Sequence, residues 1–575
     1  MKTASKPYPL WIYGIAALTA LTAVFVTYGP ALDGPFLLDD SYLPYLQPQF
    51  ATAPLTAWMR GVRPLTMLTY WINFQTSGEA TGSYHLFNVV LHLLSGILIY
   101  LCIRKIWMWA NLDAGKAPLW AAFAAGVFLL HPLQTEAVSY VASRSETLSV
   151  FFFLSGFTVF LYQVKPSHDR EGAISFTTAA IILLLFGAAC VSKEHAVVLP
   201  ALLLLTDYYW NPGFAFAGIR QNWRVYVPIA LAGVLGAAYV LKVLSTATSA
   251  GFALQDLTWY QYFFTECRAF WHYVLLYLFP LGQNIDHDFP ISHTVSEHGA
   301  ILGLIALLAL VGAAWHWRRT FPLESYGLFT LLLLLAPTSS FIPIRDTLVE
   351  RRMYLPFIGL LLITVGLLRR LKTRFAIADS SLRAGLGVVL VSLALLTFQR
   401  NQLWGNAVGI WRDSVTKSPA KFRPRFQLAY AYYNAGQCNE AATEFGQAAQ
   451  LDLGRKSDAK PDYSLLVDWA LAYDCAGNTS AAIGKLTEAA AIEKSAHVYS
   501  QLGMMYAKQA QYPQALDALE TAAGLDPNFG MTYVYRGNVY TLQGNKARAA
   551  EEYRHALAIN PQDGAARDGL NRISR

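Results

Sequence analysis

The chain has 575 residues, 54% of them hydrophobic and only 14% charged, and carries a net charge of +7. That balance excludes an ordinary soluble enzyme, and the length allows two or more domains. Nor does the basic excess call for a nucleic-acid partner, because lysines and arginines flanking membrane spans produce it equally well.

The first apolar stretch, Leu10 to Tyr28, follows Lys2 and Lys6 as a signal peptide would. No small-x-small cleavage pattern follows it closely and many further apolar runs do, so it reads as an uncleaved first helix. Crossing a hydrocarbon core takes about 20 apolar residues. On that basis spans are predicted at 10–29, 84–103, 117–131, 146–163, 173–191, 195–209, 225–244, 298–317, 322–337, 354–370 and 384–401, about eleven transmembrane helices. The run 260–280 is a twelfth candidate.

Basic residues decide that case, since they are retained on the cytoplasmic side of short loops. With 260–280 re-entrant or interfacial, cytoplasmic segments hold sixteen lysines and arginines, among them Lys2, Lys6, Arg104, Lys105, Lys116, Lys165, Arg170, Arg318, Arg319, Arg369 and Arg370. The opposite face keeps nine. The N terminus is therefore expected inside, with Asp39, Asp40 and the C-terminal region outside.

Near Trp404 the chain turns polar and alanine-rich, which divides it into a membrane domain, 1–403, and a second domain, 404–575. Gly503, Tyr506, Ala515, Ala522 and Pro527 recur as Gly537, Tyr540, Ala549, Ala556 and Pro561, every interval being 34 residues, the period of tetratricopeptide helix pairs. Looser copies run through Ala470, Tyr473, Ala482 and Ala489 and through Ala429, Tyr432, Ala441, Phe445 and Ala448, separated by the insertion GRKSDAK. A half repeat, marked by Ala407, Trp411 and Ser414, precedes them. An α-solenoid of this kind binds peptide or protein, or else acts as a rigid spacer or dimer contact. Cys438 and Cys475 fall near helix ends of adjacent repeats, where an oxidising compartment would let them pair.

Ionisable residues at the edges of membrane spans are costly and are candidates for function. Outer-face motifs supply them: Asp39 and Asp40 in FLLDDSY, Arg63 in GVRPLTMLTYW, His131, Glu136 and Arg144 in HPLQTEAVSYVASRSETL, Lys193 in SKEH, and Arg345, Glu350, Arg351, Arg352 and Tyr354 in RDTLVERRMYLP. QNIDHDFP at 283–290 adds further acids and a histidine. Each has a plain structural alternative. The aspartates could cap an interfacial helix, His131-Pro132 could end a helix, Glu136 and Arg144 could neutralise each other, and Arg351 and Arg352 could meet lipid headgroups. Together they suggest a site for an anionic substrate at the membrane surface.

The order DD, RPL…TYW, HPLQTEAV with a following Arg and acid, KEH…LP and ERRMYLP, ending in tetratricopeptide repeats, resembles the transmembrane and tetratricopeptide-repeat-containing O-mannosyltransferases and their bacterial relatives. ASRSETL departs from that pattern by placing Glu146 where an aspartate is usual, and the repeat array is short. The resemblance implies an all-α, polytopic membrane GT-C glycosyltransferase fold followed by the solenoid. It also implies a polyprenyl-phosphate sugar donor used on the extracytoplasmic face and a Ser/Thr protein acceptor recruited by the repeats.

On that chemistry Asp39 is the expected base, taking the proton of the attacking hydroxyl. Asp40 would orient the acceptor, hold the sugar or bind a divalent ion. Arg351, and behind it Arg345, Arg352, Arg144, Lys193 and Arg63, would meet the donor phosphate. Glu136 and Glu350 would orient those cations, His131 would do the same or contact the sugar, and Tyr354 would join the residues that bind the donor phosphate or sugar. Mg²⁺ or Mn²⁺ suits paired acids, but arginines supply the same charge, so no metal is expected to be required. The expected location is a bacterial inner membrane with the site and repeats in the periplasm. A transferase acting on a lipid or envelope glycan, and a scaffold with no active site, are the other classes.

Overall fold

A computed structural model describes residues 9–164, 174–211, 213–246, 250–455 and 462–574. Lys2, Lys6, Lys165, Arg170 and residues 456–460 of the GRKSDAK insertion lie outside them. The chain forms two compact units, the first ending at Ala407 and the second beginning at Val408.

Among the described residues of the first unit six helices are long and apolar enough to cross a membrane: Gly14–Ala31, Thr81–Trp109, Val141–Gln163, Trp223–Ser245, Glu297–His316 and Asp379–Trp404. A seventh is the pair Ala117–Leu130 and Pro132–Ser139, bent by 54° where Pro132 breaks the helix. Helices also stand at the other expected positions, namely Phe176–Ser192, Leu199–Trp210, Pro322–Leu335 and Phe357–Arg374. These are shorter or end in charge, so length and composition do not establish eleven crossings. Two of them sit inside the unit instead of facing lipid. Leu199–Trp210 and Pro322–Leu335 are joined by Thr206–Tyr326 and Tyr209–Ser325 hydroxyl bonds of 2.7 and 2.8 Å. Pro322–Leu335 and Phe357–Arg374 touch backbone to backbone, since a Cβ on Gly359 would fall 2.5 Å from the Gly327 carbonyl oxygen.

One face of this unit gathers basic residues. Lys116 and Lys372 share Asp379, Arg370 bonds Glu324 and the Thr320 carbonyl, Arg318 lies 5.3 Å over the Phe214 ring, and Arg224 donates to the Ile174 carbonyl. The opposite face carries Asp39 and the loops around residues 63, 140, 193 and 351.

The helix Trp259–Leu278 does not connect the two faces. It begins beside the loop 338–345, with the Tyr262 hydroxyl donating to the Thr338 carbonyl, and reaches inward until the Tyr277 hydroxyl meets Thr364 at 2.6 Å. Beyond Gly282 the chain returns alongside it. Gln283 bonds the Pro132 carbonyl, Arg268 bonds the Pro290 carbonyl, Ser292 donates to Thr265 at 2.9 Å, and His293 meets Gln261 at 3.2 Å. The segment is thus a hairpin whose tip exposes Leu278, Phe279 and Leu281. His131 braces it from behind, its Nε2 donating to the Tyr277 carbonyl at 2.9 Å.

Among the described residues the second unit contains the helix Ala407–Lys417 where the half repeat was expected, four antiparallel helix pairs, beginning at Phe422, Tyr463, Ala496 and Gly530, and a final helix Gly564–Ser574. Small residues at the crossings allow close approach: a Cβ on Gly503 or Gly537 would meet Leu519 or Tyr553 at 2.5 and 2.7 Å. A disulfide joins Cys438, at the start of one pair's second helix, to Cys475, at the end of the next pair's first.

The hairpin makes a labelling prediction. With Cys102, Cys190 and Cys267 replaced, single cysteines at Asp256 and His298 will react with a membrane-impermeant maleimide from the same side of sealed vesicles. One at Arg319 will react only from the other.

Candidate active site

The two adjacent acids have different environments because a tight turn points them apart. Residues Leu38–Tyr42 form a 3₁₀ turn entered through Leu38, whose φ of +47° is left-handed and costs a branched side chain about 1 kcal/mol or more. Asp40 lies inside. Its carboxylate accepts the Leu37 N–H and the Tyr45 hydroxyl, both at 2.8 Å, and is met by the Ala142 backbone. Burial pushes this carboxyl up to about 7, against the lowering effect of those hydrogen bonds. Asp39 faces solvent, and its backbone N–H donates to the Tyr140 hydroxyl at 2.8 Å.

Asp40, expected to orient the acceptor, help hold the sugar or bind a divalent ion, is buried, with its oxygens bonded within the turn. Among the described residues no group of three or more His, Cys, Asp and Glu side chains is arranged to hold a metal ion.

Arg351 lies within Coulombic reach of Asp39. The short 3₁₀ helix Glu350–Met353 presents it, and Glu136 grips it twice, accepting the backbone N–H at 2.9 Å and pairing with the guanidinium. That guanidinium lies 5.9 Å over the Tyr140 ring and within Coulombic reach of Asp39, Lys193 and Glu146. Lys193 donates to Glu146 at 2.5 Å, and His195 sits 3.4 Å from the other oxygen of Glu146. Arg63 makes a two-bond fork to Glu194 at 2.9 Å. Burial alone would raise the Glu194 carboxyl, but the Arg63 guanidinium holds it below the usual range. The Arg351, Lys193 and Arg63 side chains remain 25%, 18% and 36% exposed, whereas Glu136 and Glu146 are only 3% and 4% exposed. The cations therefore face outward while their partners hold them from behind, a geometry suited to an incoming anion.

The other expected ligands stand elsewhere. Arg144 is fully buried, its guanidinium donating to Asn88, Asn73 and the Tyr84 carbonyl and lying over the rings of Tyr70 and Phe87. Arg352 points into the hairpin, bonding Tyr262 and the carbonyls of Asp346 and Thr347, with Glu266 at 3.7 Å. Arg345 is on the surface, 58% exposed, and its partner there is Asp256. His131 uses both ring nitrogens internally, Nδ1 accepting the Leu133 N–H at the helix break. Glu350 is buried under His287, Gln283 and the Asn284 N–H. Tyr354 is enclosed, its hydroxyl 2.9 Å from His92.

Tyr140 also belongs to this cluster and was given no role from the sequence, while Glu146, Glu194 and His195 stood within ASRSETL and SKEH without a ligand role of their own. Glu146 and Glu194 carried a signal, an acid in an apolar context close to a basic residue. Tyr140 carried none, because a tyrosine among apolar neighbours has no unusual cost.

Tetratricopeptide repeat families match residues 496–529 and 531–563. The protein O-mannosyl-transferase TMTC3 of Mus musculus is 22% identical over 541 residues, which cover 87% of this chain and 57% of that protein. Tmtc3 of Drosophila melanogaster is 23% identical over 84% of this chain and 59% of its own length. TMTC4 of Homo sapiens reaches 29% identity over 35% of this chain and 29% of its own. The chain thus spans rather more than half the length of the TMTC3 relatives. It resembles them through the membrane unit as well as the repeats.

The two acids predict a pH signature. Because the folded protein holds the Asp40 proton up to about pH 7 against an ordinary 3.8, this group's stability contribution is greatest below pH 4 and is lost as pH rises toward 7. Melting curves in detergent will show that decline in the wild type and not in Asp40→Asn. Asp40→Ala, which strands the Leu37 N–H and the Tyr45 hydroxyl, will cost about 1–3 kcal/mol.

Proposed function

We propose that this protein is a membrane glycosyltransferase that moves a sugar from a polyprenyl-phosphate donor to Ser or Thr hydroxyls of proteins. The observation that carries this reading is the solvent-facing Asp39 carboxylate beside an outward-facing Arg351 that is held from behind by buried Glu136. Similarity to protein O-mannosyl-transferases over most of the chain supports the same reaction class.

The chemistry follows from what each group can do. The acceptor hydroxyl oxygen forms a bond to the anomeric carbon while the bond from that carbon to the phosphate oxygen breaks. Asp39 takes the hydroxyl proton, and the electron pair leaves with the polyprenyl phosphate. Arg351, Lys193 and Arg63 offer positive charge already in place before the phosphate gains its negative charge, so little reorganisation accompanies the step. A single displacement of this kind inverts the anomeric centre.

We place the reaction on the periplasmic side of a bacterial inner membrane, with the repeats recruiting the acceptor. Two features support that side. The basic residues gather on the face opposite Asp39, as cytoplasmic loops do, and the Cys438–Cys475 disulfide suits an oxidising compartment.

Purified protein supplied with a polyprenyl-phosphate monosaccharide and a Ser/Thr-rich protein will yield a glycoprotein. Asp39→Asn will lower turnover about 100-fold or more with melting temperature unchanged. Arg351→Ala will lower turnover and weaken donor binding. Glycolipid as the sole product would reassign the acceptor, and a fully active Asp39→Asn would remove the base.

A further inference from the structure

Asp39 sits on a turn that is not at ease, since Leu38 before it holds a left-handed φ of +47°. The Asp40 bonds anchor the far side of that turn, and the Tyr140 hydroxyl reaches Asp39 itself, accepting its N–H at 2.8 Å. The Tyr140 ring also meets Arg351, whose guanidinium carbon is 5.9 Å from the ring centre. One side chain thus touches both the carboxylate-bearing residue and the cation proposed to act with it.

Tyr140 is itself fixed from several directions. Its ring stacks on Trp404, 6.2 Å away with 21° between planes. Asn88 donates to the carbonyls of Val138 and Tyr140, and Arg144 holds Asn88 at 3.0 Å. Tyr70 donates to the Val141 carbonyl, and Ser139 to Asn401 at 2.6 Å. A buried tyrosine needs some partner for its hydroxyl, and a neighbouring helix carbonyl would suffice. This one instead supports the backbone of an exposed acid on a strained turn.

We infer that Tyr140 is a positioning residue, its hydroxyl fixing Asp39 relative to Arg351 so that proton acceptance and phosphate stabilisation act on one bound donor–acceptor pair. The inference rests on the reaction proposed above. Misplacing a reacting group by even an ångström is costly, so the effect falls on the chemical step and leaves donor binding intact. Tyr140 needs no direct contact with substrate to do this.

Tyr140→Phe is the test, because it keeps the ring against Trp404 and Arg351 and removes only the hydroxyl. The expected result is a fall in kcat of at least tenfold, with donor KM within twofold and melting temperature unchanged. Hydrogen exchange of a peptide covering Leu37 to Tyr45 will be faster in the variant, reporting the released Asp39 amide independently of activity. Added to Asp39→Asn, the change will cost nothing further, since Tyr140 acts through that carboxylate.

Wild-type kcat, a matched rise in KM with lowered melting temperature, unchanged exchange or additive losses would each overturn the positioning role. If Asp39→Asn stays active, the reaction assignment fails and the inference falls with it. If Asp39→Asn is inactive while Tyr140→Phe matches the wild type, the assignment stands and only the role of Tyr140 is lost.

Discussion

The buried guanidinium of Arg144 is the constraint on which the Asp39 face is built. A charge taken out of water is tolerated only if its donors are met, and here Asn88, Asn73, the Tyr84 carbonyl and two aromatic faces meet them. Those partners belong to the helices Pro64–Ser77 and Thr81–Trp109, so satisfying one side chain fixes both helices against the start of Val141–Gln163. Asn88, so held, bonds the backbone at 138–140. The position of the Tyr140 hydroxyl, and through it of Asp39, follows from a charge that never reaches the surface.

Two neighbouring carboxylates divide the work of the first loop. Asp40 is spent on structure, bonding the Leu37 amide and the Tyr45 hydroxyl, and this closes a turn that a left-handed leucine would otherwise resist. Asp39 is left exposed with its backbone anchored and a cation within Coulombic reach. Like charges side by side in sequence are compatible here because one is inside and, near neutral pH, holds its proton much of the time. The same division recurs among the cations. Arg351, Lys193 and Arg63 have buried or half-buried acids behind them, which fixes their direction without covering them.

Much of this was legible in the sequence, and the limits have a physical cause. An ionisable residue beside a membrane span is conspicuous because it is costly, and that cost can be met by a ligand or by an internal network. Sequence does not distinguish the two. Arg351 and Arg144 therefore looked alike, and only the folded chain separates the outward cation from the enclosed one. His131, Glu350 and Tyr354 were flagged for the same reason and serve the interior. Asp39 and Asp40 could not be told apart because their directions depend on the φ of Leu38, which no propensity foretells. The 34-residue repeat was plain because small residues must recur wherever helices cross. Span counting was less secure, since an apolar helix buried among others, such as Pro322–Leu335, has the composition of one that faces lipid.

The hairpin at Trp259–Leu278 bears on how the unit assembles. Its seat is built from the Pro132 carbonyl, Glu350 and Thr364, which stand before and after it in the chain. No neighbour in sequence can hold it, so its exposed apolar tip takes its place only once segments from both sides of the hairpin have come together.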